Sequence, residues 1–376
     1  MKRLIGIGML SIAMMVGCTK KNSGDEILVG HFGSMTGNTA TFGTSTEEGV
    51  KMAIDEINGK GGVKGKKLKL ITVDTAGKPE GAAAAVTRLI TQDKVMVLIG
   101  EVASGLSKAA APIAQKNQIP MVSPASTNPI VTTFGDYIFR VCFIDPFQGL
   151  VMAKFATENL KAKTAAILRD VKAEYSVGLA DVFKAEFAKM GGTILDDQAY
   201  QNGEIDFKAQ LNQIKSKNPD VVFIPGYYQE VGLIAKQAAE IGLKAKLLGG
   251  DGWDSDKLFE IGKEAVNGHY FSNHYASDST DTVVQDFIKK YKQLYNGKTP
   301  DAMAALGYDA AKIIAASLES APEMTSAALK DQLAKVASFP GVTGKITING
   351  ERNATKSAVV VQVEGNNRKY VTTISP

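Results

Sequence analysis

Two loops that carry hydroxyl groups are the segments best suited to chemistry in this sequence. They share serine and threonine side chains close to predicted helix starts: Ser104, Ser107, Ser123, Ser126 and Thr127. Helix starts present unpaired backbone N–H groups and a positive dipole end, so with these hydroxyls they can hold a small anion such as a carboxylate. The alternative is a pair of ordinary turns in which Ser107 and Asn128 cap helices. On local sequence alone the ordinary turns are the commoner arrangement, because serine is a frequent cap.

Two short strands and a helix must position these loops. The apolar runs at 96–99 and 120–123 have the continuous pattern of buried parallel strands, and a helix is predicted between them at 107–117. Both loops therefore follow the carboxyl ends of strands, which is where open α/β sheets bind ligands.

The same alternation of strands and helices runs through most of the chain. It begins with a strand at 27–30 and a helix at 46–58, and it restarts after Pro146 and continues to about residue 249. Short connections between alternating strands and helices indicate doubly wound parallel sheets. The predicted fold class is therefore α/β, with two Rossmann-like lobes.

The elements after residue 274 are too many for the second sheet alone. Three more helices are predicted, followed by a hairpin in which 345–348 pairs with 357–363 around the turn Asn349-Gly350. We expect the chain to cross back and complete the first lobe, so that several strands join the two lobes.

Length and charge exclude several classes of protein. The chain has 376 residues, which suits two domains, and it is 44% hydrophobic and 22% charged. Its net charge is only +4 and its lysines are scattered, so no nucleic-acid-binding surface is indicated.

The first residues predict export rather than part of the fold. Lys2 and Arg3 precede a short apolar run that ends at Gly17, a pattern typical of a signal peptide over 1–17. Cys18 follows directly, as in a bacterial lipobox, so we expect its lipidation and a polar tether at 18–25. The alternative is an ordinary secretory signal in which Cys18 is incidental. Cys142, the other cysteine, is predicted to be a buried and inert thiol.

No enzyme or metal signature is found in the sequence. The glycine-rich segment 60–66 has the wrong spacing for a phosphate loop and leads from a helix into a strand. The three histidines, His31, His269 and His274, lack metal spacing, and no nucleophile elbow is present. We therefore predict neither a cofactor nor a metal, and no enzyme activity. A regulator of similar fold would need a helix-turn-helix at its start, where this chain has an export signal.

Five segments, in order behind the export signal, carry a resemblance to one family. They are residues 33–37 with 42–43, 58–65, 123–127, 226–227 and 307–311. Together they resemble the periplasmic branched-chain amino-acid-binding proteins of ABC transporters, the leucine/isoleucine/valine-binding type. The resemblance covers residues 26–365. It implies the type I periplasmic-binding-protein fold with a three-strand hinge, with lobe 1 formed by 26–145 and 275–349 and lobe 2 by 146–274 and 350–376.

The resemblance also implies a binding site between the lobes. By motif, the ligand carboxylate would be held at Ser104, Ala125 and Thr127, and its ammonium at Asp251, where the family usually has Glu. Aromatic pocket residues match Phe42, Tyr175 and Tyr227, and Glu101 and Trp253 are further neighbours that could alter the pocket. The alternatives are a helix cap or ion pair for Asp251, and core packing for Phe42 and Tyr227.

The expected role is that of a periplasmic, lipid-anchored, monomeric binding protein that closes on an amino acid and delivers it to a membrane permease. A branched-chain amino acid is the first expectation for the ligand. A polar or aromatic amino acid, or an amide such as urea, is the alternative. An enzyme on the same double-Rossmann frame is a further hypothesis, but it would need a dinucleotide fingerprint or a nucleophile with its base.

Overall fold

The computed structural model describes residues 26–376. The predicted signal at 1–17, Cys18 and the tether at 18–25 therefore lie outside the described residues. Within the described part, no helix is both long and apolar enough to span a bilayer.

Residues 26–140 build a five-stranded parallel sheet in the order β2-β1-β3-β4-β5. Its strands β3 and β4 are fully buried, as their continuous apolar runs predict. The elements in chain order are β1 Glu26–Gly33, α1 Ala40–Gly59, β2 Lys67–Asp74, α2 Pro79–Thr91, β3 Val97–Ile99, α3 Ser104–Lys116, β4 Met121–Ser123, a 3-10 helix Pro129–Phe134 and β5 Ile138–Arg140.

The second lobe is a seven-stranded sheet in the order β15-β14-β10-β9-β8-β6-β7. Strands β6 to β10 are parallel to one another, and β14 and β15 add to the edge in antiparallel fashion. Its first elements are α4 Asp145–Lys154, β6 Thr164–Asp170, α5 Glu174–Lys189, β7 Thr193–Tyr200, α6 Lys208–Lys217, β8 Val221–Phe223, α7 Tyr228–Glu240, β9 Lys246–Gly249, a 3-10 helix Asp251–Trp253, α8 Asp256–Gly262 and β10 Tyr270–Asn273.

After β10 the chain returns to the first lobe, as predicted, and then enters the second lobe again. The return is fixed by close packing of α10 on α1, where a Cβ at Gly49 would lie 1.9 Å from the carbonyl oxygen of Ala304. The remaining elements are α9 Thr282–Leu294, α10 Ala302–Ser320, α11 Ser326–Leu333, β11 Phe339–Gly341, β12 Gly344–Ile348, β13 Ala354–Thr355, β14 Ala358–Glu364 and β15 Asn367–Ile374.

The chain passes between the two sheets after β5, after β10 and between β13 and β14. This gives three connections, and the predicted fold of two α/β lobes joined by a three-strand hinge is confirmed. We call these three connections the hinge.

The predicted hairpin is wrong in its second strand. Strand β12 pairs with β11 and with the two-residue β13, whereas β14 pairs with β10 and β15 in the other lobe. The turn that was missed lies between Glu364 and Asn367, where Gly365 has a φ of 61° and closes a two-residue turn. The sequence pattern could not show that the hinge separates β13 from β14.

Cys142 is free and buried in the core, as predicted. Burial raises the pKa of its thiol to about 12, so it stays protonated and inert at neutral pH.

Candidate functional site

A small cavity lies where the carboxyl ends of the two sheets face each other. Val102 and Ala125 follow strands β3 and β4 of the first lobe, and Tyr227 and Asp251 follow β8 and β9 of the second. The complete lining is Phe42, Val102, Ala125, Tyr175, Tyr227, Asp251, Gly252 and Met303. Five of the seven residues predicted for the site therefore line one cavity, and Ser104 and Thr127 lie outside this lining.

The lobes are in contact across this cavity. The hydroxyls of Thr41 and Ser255 are 2.9 Å apart, and the Asn128 side chain donates to the carbonyl of Glu174 at 2.8 Å. Asp251 is only 2% exposed to solvent. The structure is therefore a closed form in which the cavity is shielded from water.

Asp251 is the charged group of this cavity, and three side chains fix its carboxylate. Its Oδ1 accepts from Gln148 Nε2 at 2.8 Å and from the Tyr175 hydroxyl at 3.0 Å. Its Oδ2 lies 2.9 Å from His274 Nε2. The alternative of a helix cap is wrong, because the Asp251 side chain accepts no cap hydrogen bond from the 3-10 helix that it begins.

The three neighbours leave Asp251 room for one more donor. Burial lowers the pKa of His274, although Asp251 beside it acts in the opposite direction, so the ring is neutral and donates from Nε2. Burial also raises the pKa of the Tyr175 hydroxyl far above its ordinary value, which keeps it a donor. A carboxylate accepts about four hydrogen bonds, so Asp251 can take one from a ligand.

The first lobe has a buried hydroxyl two residues beyond Ala125. Thr127 is fully buried, and its Oγ1 makes no hydrogen bond with the described residues, although it lies near the carboxyl of Asp145. Ser104 Oγ accepts from the backbone N–H of Asn128 at 3.2 Å, which ties the two loops together. A buried unpaired hydroxyl is costly unless a ligand or water satisfies it.

The other serines of the two loops have a structural role. The hydroxyls of Ser107, Ser123 and Ser126 all donate to the main-chain carbonyl of Glu101. Helix α3 begins at Ser104, three residues before the predicted start, so Ser107 is not its cap. In contrast, Asn128 caps the next helix by accepting from the Ile130 N–H at 3.0 Å, as predicted.

Three aromatic rings form one wall of the cavity. Tyr175 and Tyr227 stack with ring centroids 5.3 Å apart, and Phe42 meets Tyr227 edge-on at 5.6 Å. Helix α1 starts at Ala40 rather than at 46, so Phe42 lies in its first turn and not in a loop. Phe42 is 1% exposed and also belongs to the hydrophobic core. It therefore both lines the cavity and packs in the core, the two roles considered for it from the sequence.

Two neighbours of the predicted site do not reach the cavity. Trp253 is fully buried, and its indole N–H donates to the carbonyl of Ile224 at 2.9 Å. The carboxyl of Glu101 accepts from the hydroxyls of Ser34 and Thr75, behind the loop. Both residues support the walls instead of lining them.

Sequence reasoning missed five residues of the site. Val102, Gly252 and Met303 line the cavity, and Gln148 and His274 orient Asp251. Val102 and Gly252 could have been inferred, because each is adjacent to a predicted site segment. Met303 could not, because it comes from a helix far along the chain. The described residues contain no cluster of side chains suited to a metal ion.

Comparison with known proteins places this geometry in a family. The family described as periplasmic binding protein matches residues 26–368. The Leu/Ile/Val-binding protein BraC3 of Rhizobium johnstonii is 34% identical over 329 residues, which is 86% of this chain and 87% of that protein.

Two solved structures are similar over nearly the whole chain. The leucine-binding protein LivK of Thermotoga maritima has 40% identity and a TM-score of 0.89, covering 93% of this chain and 99% of its own. LivJ of Streptococcus pneumoniae, in complex with isoleucine, has 31% identity and a TM-score of 0.89, covering 93% of this chain and 100% of its own. The family match and these similarities agree with two lobes closed over a buried carboxylate, and the chain belongs to the periplasmic binding protein family.

Proposed function

We propose that this protein binds a branched-chain α-amino acid in the cavity between its lobes and delivers it to the permease of an ABC transporter. The observation that carries the proposal is that Asp251 of one lobe and Ala125 of the other line the same cavity. Two residues beyond Ala125, the buried hydroxyl of Thr127 has no hydrogen-bond partner among the described residues. A carboxylate suits an ammonium, and the loops suit a carboxylate.

The ammonium and the carboxylate of the amino acid would be bound by different lobes, and this explains the binding mechanism. Both charges of an amino acid must leave water when the cleft closes, and burying either one without a partner costs several kcal/mol. Only the closed form brings Asp251 and the Thr127 loop to the same ligand. The ligand therefore shifts the equilibrium from open to closed, and no covalent step is needed.

The walls support an aliphatic side chain. Phe42, Val102, Tyr227 and Met303 line the cavity with mainly apolar surface. An amide or urea lacks the ammonium, so it would leave Asp251 without its ionic partner. The names of the similar proteins, which refer to leucine, isoleucine and valine, agree with an aliphatic ligand.

Leucine, isoleucine or valine is expected to raise the melting temperature of the mature protein after removal of any co-purified ligand. Binding to the folded state alone stabilises it by RT ln(1 + [L]/Kd), about 2.7 kcal/mol at a hundredfold excess over Kd. A thermal-shift panel of the twenty amino acids with urea and acetamide measures this. If only the amides or urea raised the melting temperature, the assignment of the ligand would be wrong.

The location is periplasmic, as for the family, and we propose that a lipid on Cys18 anchors the protein to the membrane. We also propose that it acts as a monomer whose lobes divide at residues 145 and 274. For the third division we propose the segment between Thr355 and Ala358 in place of the expected residue 349, because β13 still pairs with β12. The support for the anchor is the apolar run that ends directly before Cys18.

Replacement of Cys18 by Ser is expected to move the protein from the membrane fraction to the soluble periplasmic fraction, because the acceptor thiol is lost. Its leucine affinity should not change, since Cys18 precedes the folded lobes. Fractionation and calorimetry on both forms measure these two effects. An unmutated protein found wholly in the soluble fraction would exclude the anchor.

A further inference from the structure

A second buried acid lies where the first connection of the hinge ends. Asp145 is the first residue of α4, is 1% exposed and does not line the cavity. Its backbone N–H donates to the carbonyl of Thr127 at 2.9 Å, which ties it to the loop of Ala125. Neither of its carboxyl oxygens has a hydrogen-bond partner among the described residues. Burial of a charged group without partners is costly, so the neighbours of Asp145 decide whether it keeps its proton.

The surroundings of Asp145 favour the protonated acid. An ionised carboxylate is an acceptor at both oxygens, and no described side chain or N–H donates to either of them. Burial raises the pKa of Asp145 to about 8, and the carboxylate of Asp251 acts in the same direction, whereas the Thr127 hydroxyl and Arg140 oppose it. The other titratable groups that face Asp145 keep their protons at neutral pH, and they are Cys142, Tyr175 and Tyr227. Asp145 is therefore a neutral acid at pH 7.

The Thr127 hydroxyl is the partner available to the Asp145 proton. It lies near the Asp145 carboxyl, is fully buried and has no hydrogen-bond partner among the described residues. A protonated carboxyl donates one hydrogen bond, and a hydroxyl can accept one bond while it donates another. When Asp145 donates to Thr127 Oγ1, the Thr127 proton is left for a ligand. When Asp145 is ionised, it accepts from Thr127 instead, and the ligand loses that donor.

We propose that Asp145 is a positioning residue that holds the Thr127 hydroxyl as a donor to the ligand carboxylate, and that the amino acid binds with Asp145 protonated. This inference rests on the proposed function, because it needs the ligand carboxylate at Thr127. Ionisation of Asp145 would also add a negative charge close to that carboxylate. Both effects of ionisation therefore weaken binding.

Leucine affinity is expected to fall as the pH rises through the pKa of Asp145, which is about 8 in the folded protein. Below that pH Asp145 already carries its proton and the affinity is constant, whereas above it binding must take up a proton. The affinity at about pH 8.5 should be roughly three- to tenfold lower than at about pH 6. Calorimetry at both pH values measures this, and two buffers of different ionisation enthalpy at the higher pH measure the proton uptake. The leucine ammonium titrates identically with every variant, so a comparison of variants removes its contribution.

Asp145→Asn tests the proton directly. The asparagine amide donates to Thr127 Oγ1 at every pH and carries no charge. This variant should therefore keep, at the higher pH, the affinity that the unmutated protein has at the lower one, without proton uptake. The matched control is Asp170→Asn, which replaces a buried acid at the end of β6 outside the cavity lining and should keep the pH profile of the unmutated protein.

Thr127→Val tests whether Asp145 acts through the hydroxyl. Valine has a similar shape but neither accepts from Asp145 nor donates to the ligand. Leucine binding should be weaker at both pH values, and most of its pH dependence should be lost. A pH dependence that survived in full would show that Asp145 acts by its charge at a distance, and the positioning role would be wrong.

Unfolding without leucine tests the buried proton independently of the proposed function. In the unfolded chain Asp145 ionises near its ordinary pKa of about 3.9, whereas in the folded protein it keeps its proton up to about pH 8. The unfolded state binds fewer protons in this window, so the unmutated protein should lose unfolding free energy relative to Asp145→Asn as the pH rises. A constant difference between the two proteins would overturn the inference.

The leucine titrations separate failure of the inference from failure of the proposed function. Leucine binding with the same affinity at both pH values, or with an unchanged pH profile in Asp145→Asn, would overturn the role of Asp145 and leave the proposed function standing. An affinity that rises with pH would mean that Thr127 accepts from the ligand ammonium, and it would equally overturn that role. The absence of leucine binding at every pH would overturn the proposed function and, with it, any action of Asp145 on leucine.

Discussion

Replacement of Asp251 by Asn is expected to weaken leucine binding by roughly two to four orders of magnitude. Removal of one charge from a desolvated pair costs about 3–5 kcal/mol, because the other charge is left buried without its partner. Asparagine keeps the size of the side chain, and its oxygen can still accept from Gln148 or Tyr175. The free energy of unfolding should therefore change much less than the affinity. Calorimetry and an unfolding curve on the same variant separate the two quantities.

Asp170→Asn is the matched control for this variant. Asp170 is also a buried acid at the end of a strand of the second lobe, but it accepts from the N–H of Lys172 and does not line the cavity. Its replacement should leave leucine affinity nearly unchanged. The α-keto analogue of leucine lacks the ammonium, so it should bind the unmutated protein weakly and lose little more in Asp251→Asn. Equal losses for leucine and its keto analogue would show that Asp251 does not contact the ammonium.

The fold could be predicted where each element is decided by local pattern. The buried strands β3 and β8 have continuous apolar sequences, and the repeated strand and helix alternation indicated two parallel sheets. The count of late elements indicated the return of the chain to the first lobe. Long-range pairing was less accessible: β14 pairs with β15 rather than with β12, because the hinge directs it into the other sheet. No residue pattern within β14 indicates which strand it pairs with.

The site could be predicted as far as its residues follow strand ends or match a family motif. This was enough for Ala125, Tyr227 and Asp251. It was not enough for Gln148 and His274, which reach Asp251 from 103 and 23 residues away in sequence. The hydroxyls were predicted as a group, but three of the serines satisfy the Glu101 carbonyl. Composition of a loop shows which donors are present, and only the folded geometry shows which acceptor each one takes.

Arg368 connects the edge of the second lobe to the hinge region. It is 4% exposed on β15, donates to Asp254 and to Asp256, and its guanidinium lies 4.8 Å from the ring centre of Phe259. Asp254 is fully buried and also accepts from the N–H of Ala302, the first residue of α10 in the other lobe. Among the ion pairs of the described residues, Arg368 is the only cation paired with Asp254.

Replacement of Arg368 by Met is expected to lower the free energy of unfolding by about 3–5 kcal/mol, because it leaves Asp254 as an uncompensated buried charge. Methionine keeps apolar contact with Phe259, so lost packing contributes little. The control is Lys369→Met at the next position, whose partner Glu364 is solvent-exposed, and it should leave stability almost unchanged. Adding Asp254→Asn to Arg368→Met removes the orphaned charge and should recover part of the loss. Chemical unfolding of the four proteins measures these differences. Equal stabilities for Arg368→Met and Lys369→Met would mean that the buried pair contributes no more than the exposed one, and the stabilising link between β15 and α10 would have to be assigned to other contacts.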